Sequence, residues 1–169
     1  MDKSGKCFYC LVFFANPGLG IGFTLNMFLG EYIHTIDAKK RLAIPAKFRR
    51  EAGKNVVVTR GLDNCLFVFP QSEWKRLAEK IGALPLGQRD ARGFSRLMLA
   101  GAMEVLVDGL GRILVPDYLK KYAGLNRECV VVGVYSRIEI WDIKRWEQYK
   151  RRSESDAGDI AERLGELGI

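Results

Sequence analysis

The chain has 169 residues, 48% of them apolar and 28% charged, which is ordinary for one soluble domain or two small ones. It contains no run of about 20 consecutive apolar residues, so the sequence excludes a transmembrane helix, and its mixed composition excludes a collagen-like or wholly disordered chain. The 27 Lys and Arg residues outnumber the 20 Asp and Glu residues, and the resulting charge of +7 favours polyanionic partners such as nucleic acid.

The first 26 residues differ from the rest of the chain. A charged start, the apolar run CFYCLVFFA and the small residues of NPGLGIG superficially resemble the regions of a signal peptide. The alternative is that Met27 is the true first residue and that the upstream stretch is a translated leader. We favour the leader because patterned sequence begins directly after Met27 and the remainder is typical of an intracellular domain that tolerates free thiols.

The cysteines indicate a reducing compartment. There are four, Cys7, Cys10, Cys65 and Cys129, which are too few and too unevenly spaced for a disulfide framework. Cys7 and Cys10 form a CxxC, but a zinc site would need a second pair or nearby histidines, and His34 is the only histidine in the chain. We therefore expect no metal site and no cofactor.

An internal repeat organises the chain after Met27. A shift of 71 residues aligns Gly30, Asp37, Arg41, Pro45, Ala52 and Gly53 with Gly101, Asp108, Arg112, Pro116, Ala123 and Gly124. Composition alone predicts roughly one or two identities in a window of this length. Between the identical residues, apolar positions stay apolar and basic positions stay basic, so each copy is expected to be the same supersecondary unit.

Each copy predicts two strands, a short helix and two further strands. The first strand leads into the repeated Asp, and after a tight connection of three residues the repeated Arg opens the second strand. The repeated Pro is expected at the first helical position, and the repeated Gly directly after the helix. The runs NVVVTR and CLFVF in the first copy, and ECVVVGVY and RIEIW in the second, predict the remaining strands.

Two amphipathic stripes predict helices between the copies. The first stripe, ended by Pro85, consists of Trp74, Leu77, Ile81 and Leu84, and the second consists of Phe94, Leu97, Met98 and Ala102. After Trp146, the sequence KRRSESDAGD is typical of a polar linker, and Ile160, Leu164 and Leu167 predict one final helix or an interaction tail. The expected division is a leader (1–26), a first repeat (27–75), a helical connector (76–100), a second repeat (101–146), and a polar linker with a C-terminal helix (147–169).

Three segments carry a resemblance to a known family. MFLGEY at residues 27–32, DAKKRLAIPAKFR and DGLGRILVP closely resemble the MraZ family of bacterial transcription regulators, whose chains carry two SpoVT-AbrB-type repeats, each with an Asp-x-x-x-Arg motif. The resemblance covers residues 27 to about 169. It implies an α+β, β-rich fold, namely a duplicated AbrB-like swapped-hairpin β-barrel with a helical connector and a C-terminal helix.

The same resemblance implies a function. Members form ring-shaped homo-oligomers and bind short direct repeats of double-stranded DNA in the promoter ahead of the division and cell-wall gene cluster. They reside in the cytoplasm, associated with the nucleoid. We accordingly expect promoter DNA and further copies of this chain as partners, and neither a membrane nor a small-molecule substrate.

The candidate DNA-binding residues cluster in the first repeat. They are Lys39, Lys40, Arg41, Lys47, Arg49 and Arg50, which can neutralise several phosphates. Arg41 is the candidate for reading a guanine edge with two hydrogen bonds. The second repeat has Gly-Leu-Gly at 109–111 where the first has Ala-Lys-Lys at 38–40, so the two copies are chemically unequal.

Other features of the motif favour a structural role. Asp37, Asp108 and Arg112 are expected to hold their turns, since a carboxylate that faces phosphates would repel them. Family members commonly have a glycine before the first Arg, whereas this chain has Lys40, which leaves open whether the turn keeps a positive φ. Arg49 and Arg50 fit a solvated helix face as well as a DNA contact.

An enzyme is not expected. The single histidine, His34, lies in an apolar strand context, so a Ser-His-Asp order is not plausible. No glycine-rich loop matches a phosphate site, and no carboxylate pair has a distinctive spacing. Two other interpretations stay open: a structural or protein-interaction β-module that does not bind DNA, and an AbrB-like antitoxin.

Overall fold

A computed structural model of the protein describes residues 27–165 and contains the same order of elements twice. The first set is β1 (Phe28–Thr35), β2 (Arg41–Ala43), α1 (Ala46–Ala52), β3 (Asn55–Arg60), β4 (Leu66–Pro70), α2 (Gln71–Gly82) and α3 (Arg89–Leu99). The second set is β5 (Met103–Leu106), β6 (Arg112–Leu114), α4 (Asp117–Ala123), β7 (Glu128–Tyr135), β8 (Arg137–Asp142), α5 (Ile143–Ser155) and α6 (Ala157–Gly165).

The predicted order of strand, strand, short helix, strand and strand is therefore confirmed in both copies. The expected leader, the CxxC pair and Leu167 lie outside the described residues. Across 27–165, every helix is too short or too polar to cross a membrane.

The two repeats exchange their first strands. Six antiparallel strands form one sheet in the order β1-β7-β8-β4-β3-β5, so β1 of the first repeat pairs with β7 of the second, and β5 of the second pairs with β3 of the first. The short strands β2 and β6 form a separate two-stranded sheet. Neither repeat can complete its share of the sheet alone, because each depends on a strand from the other.

The antiparallel sheet and the six helices of the described residues confirm the α+β class, but the helices contain more residues than the strands, so the expectation of a β-rich chain is wrong. In the described part of the chain the six-stranded sheet has β1 and β5 as its two edges. The AbrB-like swapped-hairpin barrel stays a prediction.

The main core lies where the two repeats meet. The short helices α1 and α4 pack their buried faces, led by Phe48 and Leu119, against apolar residues of both sheets. The Phe48 ring makes edge-on contacts with Phe28 and Tyr32, at centroid distances of 5.4 and 5.2 Å. Gly133 permits this packing, because a Cβ on it would lie 2.8 Å from the Phe48 ring and 2.5 Å from the Phe28 carbonyl carbon.

A second apolar cluster contains residues of the other helices. Ile81 of α2 and Met98 of α3 are buried with Phe69 and Trp141 of the sheet, and Trp74 and Trp146 pack against this group. Both predicted stripes lie largely on helices and contribute to the core, although Leu84 and Ala102 follow the ends of α2 and α3, and Phe94 is exposed. Cys65 and Cys129 are fully buried. Burial raises the pKa of the Cys129 thiol to about 12, so it stays protonated at neutral pH.

Two local expectations are wrong. The stretch from residue 147, expected to be a polar linker, is helical: α5 continues to Ser155 and α6 follows after Asp156. Lys, Arg and Glu are good helix formers, so a polar sequence can form a solvent-exposed helix without a broad apolar face. Pro45 and Pro116 precede the first helical residue instead of occupying it, and their extended ψ angles of 136° and 145° set the direction in which α1 and α4 begin.

Replacing Phe48 with Ala should destabilise the protein by about 3–5 kcal/mol, because the truncation leaves a cavity between the two repeats. Urea unfolding followed by circular dichroism measures the change. Leu110→Ala, at a side chain that is 65% exposed, is the control and should change the stability by less than about 0.5 kcal/mol. Equal losses in the two variants would contradict the described core.

Candidate nucleic-acid interface

The turn between β1 and β2 is built around the Asp37 carboxylate. Its Oδ1 accepts hydrogen bonds from the backbone N–H groups of Lys39 (2.8 Å) and Arg41 (2.9 Å). Its Oδ2 accepts from Nε and Nη2 of the Arg41 guanidinium, both at 2.8 Å. One side chain therefore fixes both the path of the turn and the orientation of the arginine that ends it.

The turn between β5 and β6 repeats this geometry. Asp108 Oδ1 accepts from the backbone of Leu110 and Arg112, each at 2.9 Å. Asp108 Oδ2 accepts from Nε (2.8 Å) and Nη2 (2.7 Å) of Arg112. Arg112 Nη1 also lies 4.0 Å from Asp37 Oδ2, so the two motifs are neighbours in space.

Reciprocal backbone hydrogen bonds join the two turns. The amide of Ile44 donates to the Gly111 carbonyl (2.8 Å), and the amide of Val115 donates to the Lys40 carbonyl (2.9 Å). Together with the pairing of β2 and β6, these bonds relate the two repeats by an approximate two-fold axis. Residues 71 apart in sequence therefore occupy equivalent positions here.

Lys40 keeps the positive φ that the family's glycine would provide. Its φ is +61°, and the equivalent Gly111 has a φ of +75°. The shared backbone path thus places a lysine in the left-handed region, which costs a non-glycine residue roughly 1–2 kcal/mol. The Lys40 ammonium forms an ion pair with Asp117 at the start of α4, with Nζ to Oδ2 at 2.6 Å.

The Arg49 side chain lies across the second turn. Its Nε donates to the Ile44 carbonyl at 2.9 Å, and a Cβ added to Gly111 would lie 2.2 Å from that nitrogen. The guanidinium thus lies directly on the glycine backbone, which explains why Gly111 has no side chain. This contact gives Arg49 a structural function.

The remaining candidates are exposed. Lys39 lies in the turn and Lys47 lies on α1, and within residues 27–165 neither forms an ion pair. Arg50, whose side chain is 88% exposed, pairs with the neighbouring Glu51 at 2.7 Å. Lys39 and Lys47 are therefore the cations with the least competition from nearby carboxylates.

Two further cations adjoin the first turn. Lys120 and Arg127 of the second repeat line a shallow hollow together with Asp37 and Ala38, and the Ile36 amide donates to the Arg127 carbonyl at 2.8 Å. Sequence reasoning missed them because the strand exchange, which brings the connection between α4 and β7 beside this turn, leaves no signal in residue spacing.

Comparison with known proteins agrees with this duplicated architecture. The sequence model of the family described as "MraZ protein, putative antitoxin-like" matches residues 27–97 and again residues 98–166. This chain belongs to the MraZ family. One relative, the "Transcriptional regulator MraZ" of Carboxydothermus hydrogenoformans, is 52% identical over 138 residues, which cover 82% of this chain and 96% of the relative.

Other MraZ proteins match over the same extent. Those of Natranaerobius thermophilus and Clostridium tetani are 49% and 48% identical over 143 residues, which cover 85% of this chain and the whole of each relative. Both carry the name "Transcriptional regulator MraZ".

The electrostatics of the two MraZ motifs follow from their hydrogen bonds. Donation from Arg112, first from its side chain and then from its backbone, lowers the pKa of Asp108 from the ordinary 3.8 to about 2. Donation from the Arg41 backbone, and to a smaller extent from its guanidinium, lowers the pKa of Asp37 as well. Both carboxylates are therefore ionised at neutral pH, and their charge offsets that of the motif arginines.

Because the folded-state pKa of Asp108 lies below its unfolded value, its ionised form stabilises the fold above pH 4, and this contribution disappears as the pH falls from about 4 to about 2. We expect the urea midpoint of the wild type to fall in this range. Asp108→Asn should be less stable at pH 7 and should show a smaller fall. Identical pH profiles for the two proteins would contradict the described ion pair.

Proposed function

We propose that this MraZ protein is a sequence-specific DNA-binding regulator of transcription that works in the cytoplasm on the nucleoid. Its target is a set of direct repeats in the promoter of the division and cell-wall gene cluster, which it binds as a ring-shaped homo-oligomer. Membership of the MraZ family and the names of relatives about 50% identical to this chain support a role in transcription.

The observation that carries the proposal is the unequal charge on two equivalent turns. Lys39 and Lys40 of the first turn stand where the second has Leu110 and Gly111, and Lys47 of α1 stands where α4 has Tyr118. The hydrogen bonds that build the two turns are otherwise the same. Lysines needed for folding would be expected in both repeats, so their restriction to one supports a role in binding.

The candidate residues then divide by task. Lys39 and Lys47 are exposed and contact phosphates, and Arg50, which lies on α1 with Lys47, does the same. Arg41 is held in one orientation by Asp37, and a fixed guanidinium suits recognition of a guanine edge. Asp37, Asp108, Arg112 and Arg49 hold the scaffold that presents these groups.

A ring gives this small surface enough affinity. One copy offers few phosphate contacts and binds weakly, whereas several identical copies engage successive promoter repeats, and each contact after the first benefits from a high effective concentration. The spacing of the repeats must fit the spacing of the copies.

Two alternatives make different predictions. A protein-interaction module would bind promoter and scrambled DNA equally and weakly. An antitoxin, to which the family description alludes, would bind a toxin tightly in addition to DNA. Steep salt dependence together with discrimination against scrambled DNA distinguishes the proposed regulator from the first alternative.

Replacing Arg41 with Ala should abolish the preference of the full chain for DNA from upstream of its own gene over scrambled DNA. Fluorescence anisotropy across a salt series measures both affinities. Arg112→Ala is the matched control, because it removes the equivalent ion pair from the turn that lacks lysines. We expect Arg112→Ala to reduce stability and to keep the preference; a preference that survives in Arg41→Ala would overturn the assignment of Arg41.

The double variant Lys39→Ala/Lys47→Ala tests the phosphate contacts separately. Each copy bound to the DNA loses two phosphate contacts, at about 0.9 each, so the slope of log affinity against log salt should fall by about 2 per bound copy. Leu110→Ala, at the position equivalent to Lys39, should leave the slope unchanged. A slope that stays the same in the double variant would place the DNA elsewhere on the protein.

A further inference from the structure

Lys40, one of the six residues predicted to contact DNA, already forms an ion pair with a carboxylate of the protein itself. Lys40 Nζ lies 2.6 Å from Asp117 Oδ2, in a contact that joins the first turn to the first residue of α4 in the second repeat. The Asp117 side chain is 72% exposed, and that of Lys40 is 47% exposed. The ammonium has three N–H donors, but its single positive charge can offset the charge of only one carboxylate or one phosphate.

The pair exists at only one of the two equivalent positions. The approximate two-fold axis relates Lys40 to Gly111 and Asp117 to Ala46, so the second turn has neither partner. Arg49 covers Gly111 there and bonds to a backbone carbonyl instead. The second turn keeps the same geometry without such a pair, so the scaffold does not require the Lys40–Asp117 ion pair. A function for this ion pair is therefore sought in binding by the first turn.

We propose that Asp117 competes with DNA phosphate for Lys40, and this inference rests on the proposed function. In the free protein the carboxylate neutralises the ammonium, and on binding the phosphate replaces it. An ion pair this exposed is weak, so the exchange is accessible. After the exchange Asp117 stays beside the DNA backbone and repels it.

The competition lowers affinity without regard to base sequence. Both the broken ion pair and the repulsion apply to any phosphate, so promoter and scrambled DNA are weakened by the same factor. Lys40 therefore adds little affinity for non-specific DNA. The contacts that read bases must supply the additional affinity for the promoter repeats.

Asp117 also has a role that needs no DNA. An acidic residue in the first turn of a helix interacts favourably with the positive end of the helix dipole. This role predicts a small effect of substitution on stability and none on the salt dependence of binding.

The test is a double-mutant cycle with Asp117→Asn and Lys40→Gly, in the full chain. Glycine is accommodated at this φ, as Gly111 shows at the equivalent position. For each copy bound to the DNA, Asp117→Asn should tighten binding to promoter and scrambled DNA roughly three- to tenfold. The salt slope should steepen by about 0.9 per bound copy, the equivalent of one further phosphate contact. In the Lys40→Gly background, Asp117→Asn removes only the repulsion between Asp117 and phosphate. It should therefore tighten binding and steepen the slope by clearly less than it does when Lys40 is present.

The outcomes separate the two proposals. If the wild type binds its promoter specifically and Asp117→Asn has no effect, or has the same effect with and without Lys40, the competition is refuted and the proposed function stands. If the wild type shows no specific binding, both are refuted. Asp117→Ser also removes the carboxylate and should give the same result as Asp117→Asn. Thermal unfolding of each variant checks that it is folded.

Discussion

The carboxylate of the repeated Asp is the constraint on which the structure depends. In each repeat it accepts two backbone hydrogen bonds that close the turn and two guanidinium hydrogen bonds that orient the following Arg. Closing both turns in the same way brings β2 and β6 together, and a carbonyl of each turn then accepts a hydrogen bond from an amide of the other repeat. The buried faces of α1 and α4, which start directly after these strands, then meet in a common core.

The two copies share one scaffold but differ in the charge that their turns carry. The Asp and Arg that build the turn are present in both copies, whereas the turn lysines, Lys39 and Lys40, are present in one. Because the backbone path is held by the Asp, residues between it and the Arg can change with little effect on the fold. Lys40 illustrates this freedom: the turn retains its positive φ although a lysine stands where the second turn has glycine.

Local features of the fold could be predicted from the sequence, and pairings between distant segments could not. The short helices between Pro and Gly and the two amphipathic stripes follow from spacing within about 20 residues. The repeat follows from identities between segments 71 residues apart. The exchange of β1 and β5 could not be predicted, because the repeated sequence pattern would let each of these strands pair within its own copy or with the other copy. For the same reason the Asp117 carboxylate, 77 residues from Lys40, gave no signal as its partner. The polar sequence of α5 lacks the strong apolar periodicity by which a helix is recognised.

The strand exchange also affects how the protein is made. Phe28 of β1 pairs with Tyr135 of β7, about 100 residues later in the chain. During synthesis at roughly 5–20 residues per second, β1 must wait about 5–20 s for its partner to be translated. The first repeat therefore leaves the ribosome with β1 unpaired, and the six-stranded sheet can be completed only after most of the second repeat has been synthesised.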